Sequence, residues 1–192
     1  PNCSVNSNAA NPHYEPTKEI FLEIKKGDCI LIDLWAKGSK PGAVYSDIAW
    51  VAFAGETFPP KVQKVFEIVK GARDAAVEYL KKEFNAGHKP RGCDVDDVTR
   101  KYISAEGYAE NFIHRTGHNI GEEVHGNGAN IDNLETHDQR EIIPETCFSI
   151  EPGIYLPGEF GVRLEIDVFI TKDKQIVIPG QPIQQEIVRI NC

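Results

Sequence analysis

Four acids and a run of histidines are the residues of this chain best suited to chemistry. Asp33 and Asp47 sit in apolar, strand-like runs, as do Glu151 and Glu165. Between the pairs lies His-Arg-Thr-Gly-His-Asn-Ile-Gly-Glu-Glu-Val-His-Gly, from His114 to Gly126, with three of the six histidines. A carboxylate inside a strand of Ile, Leu, Trp and Val loses its hydration. It stays charged only when paired, hydrogen-bonded or bound to metal. For any one acid a buried salt bridge is the plainer reading. Cations in these runs are few, Arg163 being the obvious one, and one Arg does not neutralise four acids. Four carboxylates match two divalent cations in charge, and an imidazole adds a neutral ligand. Such an oxygen-rich set suits Mn²⁺, Co²⁺ or Fe²⁺ better than a thiolate-type zinc site. Two metals about 3.5–4 Å apart can share a hydroxide, polarise a carbonyl and stabilise its oxyanion. That is hydrolytic chemistry on an acyl substrate.

Rigid elements must bring these groups together. Residues 29–36, Cys-Ile-Leu-Ile-Asp-Leu-Trp-Ala, read as a buried strand, and residues 43–54 as a second, the two forming a hairpin. Pro59-Pro60 opens a long helix. Its apolar face is Val62, Val65, Phe66, Val69, Ala72, Ala76, Tyr79 and Leu80, and it ends near Asn85-Ala86-Gly87. Asp94 is placed to cap a second helix with an inner face of Val95, Val98, Tyr102 and Ile103, ended by Gly107. Residues 3–8 form a short strand, and Asn127 to Gln139 form a long polar loop of the kind that carries or covers a site. Residues 146–150 are apolar again, 162–171 read as one strand, and short strands at 175–178 and 186–190 follow.

A weak internal repeat links the acid pairs. Cys29 and Cys147 each stand four residues before an acid, Asp33 and Glu151. The second acid follows fourteen residues later in both cases, which suggests duplicated half-domains about a pseudo-two-fold.

The 192 residues suffice for one domain with a sizeable core. A net charge of −8 argues against a nucleic-acid or anionic-membrane partner, and no apolar run is long enough to span a bilayer. Five cysteines without a Cys-x-x-Cys pair fit inert thiols in a reducing, cytoplasmic setting. The chain begins at Pro1 and contains no Met, which reads as a fragment of a longer protein.

From about His13 to Thr171 the sequence resembles the pita-bread metallopeptidases: methionine aminopeptidase, aminopeptidase P and Xaa-Pro dipeptidase (prolidase). It is most similar to the proline-directed members. Five separated motifs in the right order carry the resemblance: Leu-Ile-Asp33-Leu, Tyr-Ser-Asp47-Ile, Thr-Gly-His118-Asn-Ile-Gly, Ile-Glu151-Pro-Gly and Val-Arg163-Leu-Glu165-Ile-Asp. It implies an α/β (α+β) fold, a curved and mostly antiparallel sheet with outer helices. It implies two divalent metal ions, Mn²⁺ foremost, with Co²⁺, Fe²⁺ or Zn²⁺ as alternatives. Asp47 and Glu165 would bridge them, Asp33 would chelate one, and His118 and Glu151 would bind the other. Glu151 would also shuttle protons, His125 would face the substrate and its oxyanion, and Arg163 would support the bridging carboxylates. His13, in Pro-His-Tyr, matches a substrate-side histidine, and His114 one near the proline pocket; either could be an ordinary histidine. His88 and His137 read as surface residues.

The resemblance further implies hydrolysis of Xaa-Pro bonds in small peptides, most simply dipeptides, by a full-length homodimer. Residues 1–192 would be a catalytic domain without the N-terminal domain and first helices of the fold. Several positions depart from the family pattern. Arg115 stands where Gly is usual, Gly126 where an acid follows the second substrate histidine, and Leu34-Trp35 where a small residue and Gly follow the first aspartate. The loop around Gly38-Ser39-Lys40-Pro41 looks like an insertion. Arg115 is a candidate anchor for a dipeptide's C-terminal carboxylate, through its bidentate geometry. The rival readings are an aminopeptidase P-type enzyme or a hydrolase of another amide, and a pita-bread binding module without catalysis. Retention of all five ligand positions speaks against the last.

Overall fold

The computed structural model describes residues 1–191, so Cys192 lies outside the described residues. Three strands form the first half, the second and third of them built on apolar runs. They are β1 (Asn2–Val5), β2 (Cys29–Ala36) and β3 (Ser46–Ala54), which pair antiparallel in that order. The expected strand at 3–8 stops at Val5, and a 3₁₀ turn over Asn6–Ala10 replaces its end. The β2–β3 ladder is unbroken and sets Asp33 opposite Ala49 and Trp35 opposite Asp47. Asp33 and Asp47 are therefore diagonal neighbours on one face of the sheet.

Two helices follow. Helix α1 (Pro60–Asn85) starts with Pro at its first position, where no amide hydrogen bond is lost. At 26 residues it runs about 39 Å, long enough to lie across both halves of the core. Its first half packs with Val51, Val162 and Leu164, and its second half with Phe148, Ile150 and Val168. The expected face is largely correct, but Tyr79 is only partly buried, while Arg73 is fully buried. The Arg73 guanidinium donates to the Gln184 carbonyl at 2.8 Å and to Asp74, which explains why a cation is tolerated there.

Helix α2 (Gly92–Ala105) corrects two expectations. Asp94 is not its cap; Arg91 is, with the Asp94 side chain accepting from the Arg91 amide at 3.0 Å from the third helical position. The inner face is also rotated. Asp96 and Thr99 are fully buried, whereas Tyr102 is exposed and Val98 half-buried. A fully buried Asp is accommodated because four groups donate to it: Arg100, the Thr116 hydroxyl, and the amides of Thr116 and Asn133.

The second half contains β4 (Asn119–Ile120), β5 (Cys147–Ile150), β6 (Gly153–Leu156), β7 (Phe160–Arg163), β8 (Ile166–Ile170) and β9 (Ile176–Val177). Strands β4, β5, β8 and β9 form one antiparallel sheet, and β6–β7 a separate hairpin. The expected single strand at 162–171 is thus two strands in two sheets, parted at Leu164-Glu165. Opposite this break lies Pro152, which has no amide to give a ladder. The neighbouring amides bond elsewhere: Glu151 donates to the Thr116 carbonyl at 2.7 Å and Glu165 to the Ala49 carbonyl at 3.1 Å. Strand β10 (Val188–Ile190) returns to the first sheet, parallel to β3. Cys29 is buried and Cys147 half-buried; both thiols are free, and burial pushes both up to about 12, which suits inert thiols. No described helix is long and apolar enough to cross a membrane.

Candidate metal centre

The two broken and unbroken hairpins meet where the histidine stretch crosses between them. Gly117 passes so close to β5 that a Cβ there would lie 2.0 Å from the Ser149 carbonyl oxygen, which demands glycine. This approach delivers His118. Its amide donates to the Ser149 hydroxyl at 3.0 Å, and that hydroxyl donates to Glu151 Oε1 at 3.2 Å. His118 Nδ1 faces the Asn119 carbonyl at 3.3 Å, a contact that places the ring proton on Nδ1 and leaves the Nε2 lone pair free. That Nε2 lies 3.6 Å from Asp47 Oδ2 and 3.4 Å from Glu151 Oε1.

Asp47, His118 and Glu165, all buried, offer ligand atoms within 4.8 Å of one another. Asp33 and Glu151 flank them. Arg163 on β7 donates to Asp33 Oδ2, and its Nε lies 3.9 Å from Glu151 Oε2. The guanidinium serves two acids and leaves the rest. Oδ1 of Asp33 and Oδ1 of Asp47 are buried without a hydrogen-bond partner. Burial pushes the Asp33, Glu151 and Glu165 carboxyls up, Glu165 well above the usual range, with the neighbouring acids adding to that shift. At His118, burial pulls the imidazole down, but the nearby Asp47 and Glu151 carboxylates outweigh it, and the net shift is upward: Nε2 draws a cation, whether a proton or a metal. Protein groups alone leave this cluster short of positive charge. Orphaned carboxylate oxygens around a free imidazole lone pair fit divalent cations.

All ten residues singled out from the sequence line one cavity of about 610 Å³. The His125 ring is perpendicular to that of His118 at a centroid distance of 4.3 Å, and burial with the His118 charge holds it below its ordinary value. His13 is exposed at the cavity wall. His114 is buried and held down to about 3, by desolvation first and then by Arg163. Its Nδ1 donates to the Arg115 carbonyl at 2.6 Å, so its Nε2 accepts from the Tyr155 hydroxyl at 2.7 Å. Tyr155 in turn accepts from Arg163 at 3.0 Å. His88 and His137 are exposed and away from the cavity.

Four contributing residues escaped the sequence reading. Tyr155 joins His114 to Arg163, and its only mark was a Tyr in a short strand between two expected site residues. Asp96 and Arg100 clamp the histidine stretch: Arg100 donates to the carbonyls of Phe112 and His114 while Asp96 holds Thr116. A helix Asp followed four residues later by Arg was a visible ion-pair signal, but it named no third partner. Asp167 accepts from the Ser46 hydroxyl at 2.8 Å and from the Asp47 amide, fixing the turn into β3.

Comparison with known proteins places this geometry. The sequence pattern of metallopeptidase family M24 matches residues 1–172. The chain is 36% identical over 166 residues to an Xaa-Pro dipeptidase of Lactobacillus delbrueckii subsp. lactis, covering 86% of this chain and 40% of that protein. Among solved structures, it resembles a dipeptidase from Pyrococcus horikoshii OT3 with a TM-score of 0.81 and 32% identity, covering 98% of this chain and 48% of the other. It resembles an X-Pro aminopeptidase from Thermotoga maritima MSB8 with a TM-score of 0.77 and 30% identity, again over 98% and 48%. The chain therefore spans less than half the length of these relatives. Its architecture is the pita-bread fold expected from the motifs, and the chain belongs to metallopeptidase family M24.

Proposed function

We propose that this chain supplies the catalytic centre of a dimetal Xaa-Pro exopeptidase acting on small peptides, dipeptides foremost, in a reducing cytoplasmic setting. One observation carries the reading. Five donor residues converge in one cavity with carboxylate oxygens that no protein group satisfies. Asp33, Asp47, Glu165, Glu151 and His118 would hold two divalent ions, Mn²⁺ suiting the oxygen-rich set. When bound, such ions polarise the scissile carbonyl and lower the pKa of water.

The protein groups do the rest. Glu151, with its carboxyl raised by burial, takes a proton from the attacking water and delivers it to the leaving proline nitrogen. His125, held below its ordinary value and so neutral near pH 7, donates a hydrogen bond to the developing oxyanion. Arg163 keeps Asp33 aligned from behind, and Tyr155 passes that constraint to His114 on the substrate side. His13 closes the opposite wall, and Arg115 receives the substrate's C-terminal carboxylate. An aminopeptidase P-type activity on longer peptides is the second reading, favoured by the similarity to the X-Pro aminopeptidase structure.

The full-length protein, assayed with an Xaa-Pro dipeptide series, is expected to need added Mn²⁺ or Co²⁺ and to lose activity with chelator. Activity that survives both chelation and Asp47→Asn refutes the dimetal reading.

A further inference from the structure

Arg115 does not face the cavity alone. Glu135, from the polar loop at 127–139, also lines it, and Glu135 Oε2 lies 3.9 Å from Arg115 Nη1. Its other oxygen accepts from the Arg115 amide at 3.2 Å. The loop is built to hold Glu135 there. The buried Asp132 accepts from the amides of Leu134 and Glu135 at 2.9 Å and of Thr136 at 3.0 Å. The amide of Asn133 is tied to the buried Asp96 at 2.9 Å, and its side chain to Asp97 at 2.7 Å. Two buried carboxylates thus fix the backbone on both sides of Glu135.

The contact to the guanidinium is a single long one, on a side chain about half exposed. A guanidinium has five N–H donors in a fork, so most of Arg115 is still available to a second carboxylate. An exposed pair of this kind is weak enough to be displaced.

From this we propose that Arg115 and Glu135 form the charge-reading element of the substrate cavity. Arg115 binds a carboxylate of the peptide, and Glu135 is a tethered competitor that weakens that preference. The inference rests on the peptidase reading above and names its specificity device. The peptide carboxylate has two sources, the C-terminus or the side chain of Xaa. The competitor lets the site take neutral peptides as well as anionic ones, where a bare Arg would favour the anionic.

The test uses the full-length, metal-loaded protein with Ala-Pro, Ala-Pro amide and Asp-Pro amide. Glu135→Gln is expected to lower KM for one anionic peptide about three- to tenfold, as befits one charge removed near the surface. The gain shrinks at high salt, and Ala-Pro amide, which carries no carboxylate, shows no such gain. A gain on Ala-Pro assigns the carboxylate to the C-terminus, and a gain on Asp-Pro amide assigns it to the side chain. Arg115→Gln removes the preference and makes Glu135→Gln silent. No change in Glu135→Gln, or an equal change on all three peptides, overturns the proposal. Calorimetric titration of the metal-free protein with the same peptides separates the two readings. Charge-selective binding without hydrolysis sinks the proposed function and leaves this inference standing. Hydrolysis without charge selection does the reverse.

Discussion

The two acid-bearing hairpins look alike in sequence and are built differently. In β2–β3 the ladder runs unbroken past both acids, and these sit diagonally, Asp33 facing Ala49 and Asp47 facing Trp35. In the second hairpin the ladder stops at the acids. Ile150 faces Ile166 on one side of the gap and Gly153 faces Arg163 on the other, an alignment that sets Glu151 directly across from Glu165. At the gap the Glu151 and Glu165 amides bond to Thr116 and Ala49, groups outside their own hairpin. The first hairpin is thus a platform and the second a stitch. A shared spacing of Cys and acids does not require a shared hydrogen-bond scheme. What the halves share is where the carboxylates end up.

This contrast predicts unequal roles for the acids. Asp33 already has Arg163 as a partner, whereas Glu165 is buried with its strongest neighbours all acidic. Glu165→Gln should therefore cost more metal affinity than Asp33→Asn. The expected loss is at least about 100-fold, beyond the roughly 10–100-fold of residues that only orient a ligand. Isothermal titration with Mn²⁺ decides it, and equal losses would erase the distinction between platform and stitch.

A smaller effect concerns pH. Carboxyls raised in the folded state bind protons that the unfolded chain releases at lower pH. Their stabilisation is present below the unfolded values and is lost as pH rises through the folded ones. His118, also raised, acts in the same direction. The metal-free protein is therefore expected to melt at lower temperature as pH rises from about 6.5 to 8, a range above that in which the depressed His114 and His125 act the other way, and bound metal to offset this by replacing the protons. Glu165→Gln should flatten the metal-free slope more than Asp33→Asn, since its carboxyl is the more strongly raised. A metal-free Tm that climbs over this range would contradict the shifts. The smallest expected effect is that of Pro152→Ala. The amides of Glu151 and Glu165 are already committed elsewhere, so restoring one amide should leave the gap open and change stability by no more than about 1 kcal/mol. The Leu164 amide already donates to the Pro152 carbonyl at 3.3 Å, so healing of the ladder would be seen as slow hydrogen exchange of the new amide at residue 152, and it would make Pro152 the cause of the gap.

Much of this was legible in the chain. The bounds of β2 could be read because Gly27-Asp28 and Lys37-Gly38 bracket a purely apolar run holding one acid. Helix α1 announced itself through Pro59-Pro60 and its apolar period. The acids and histidines stood out because desolvated charge needs a reason. Other features lay outside local pattern. Val162 to Thr171 holds no Gly or Pro, and what divides it is the redirection of the Glu151 and Glu165 amides to Thr116 and Ala49, information held in other segments. The face of α2 was misjudged because hydrophobicity ranks Tyr102 above Asp96. Burial of Asp96 is decided by four donors, three of them on Thr116 and Asn133, far along the chain. Glu135 looked like any acid of a polar loop until Asp132 and Asp96 fixed its backbone.

The link between Arg163 and Asp33 spans 130 residues, and it bears on how the protein comes into being. During synthesis the β2–β3 platform can close locally, long before Glu151 and Glu165 leave the ribosome. At that stage Asp33 and Asp47 remain two hydrated carboxylates with little hold on a cation. With the ligand set proposed above, a strong site would appear only when contacts of the highest sequence separation form, which in folding are the slow ones. Acquisition of metal would on that reading be a late event, reporting completed folding rather than directing it.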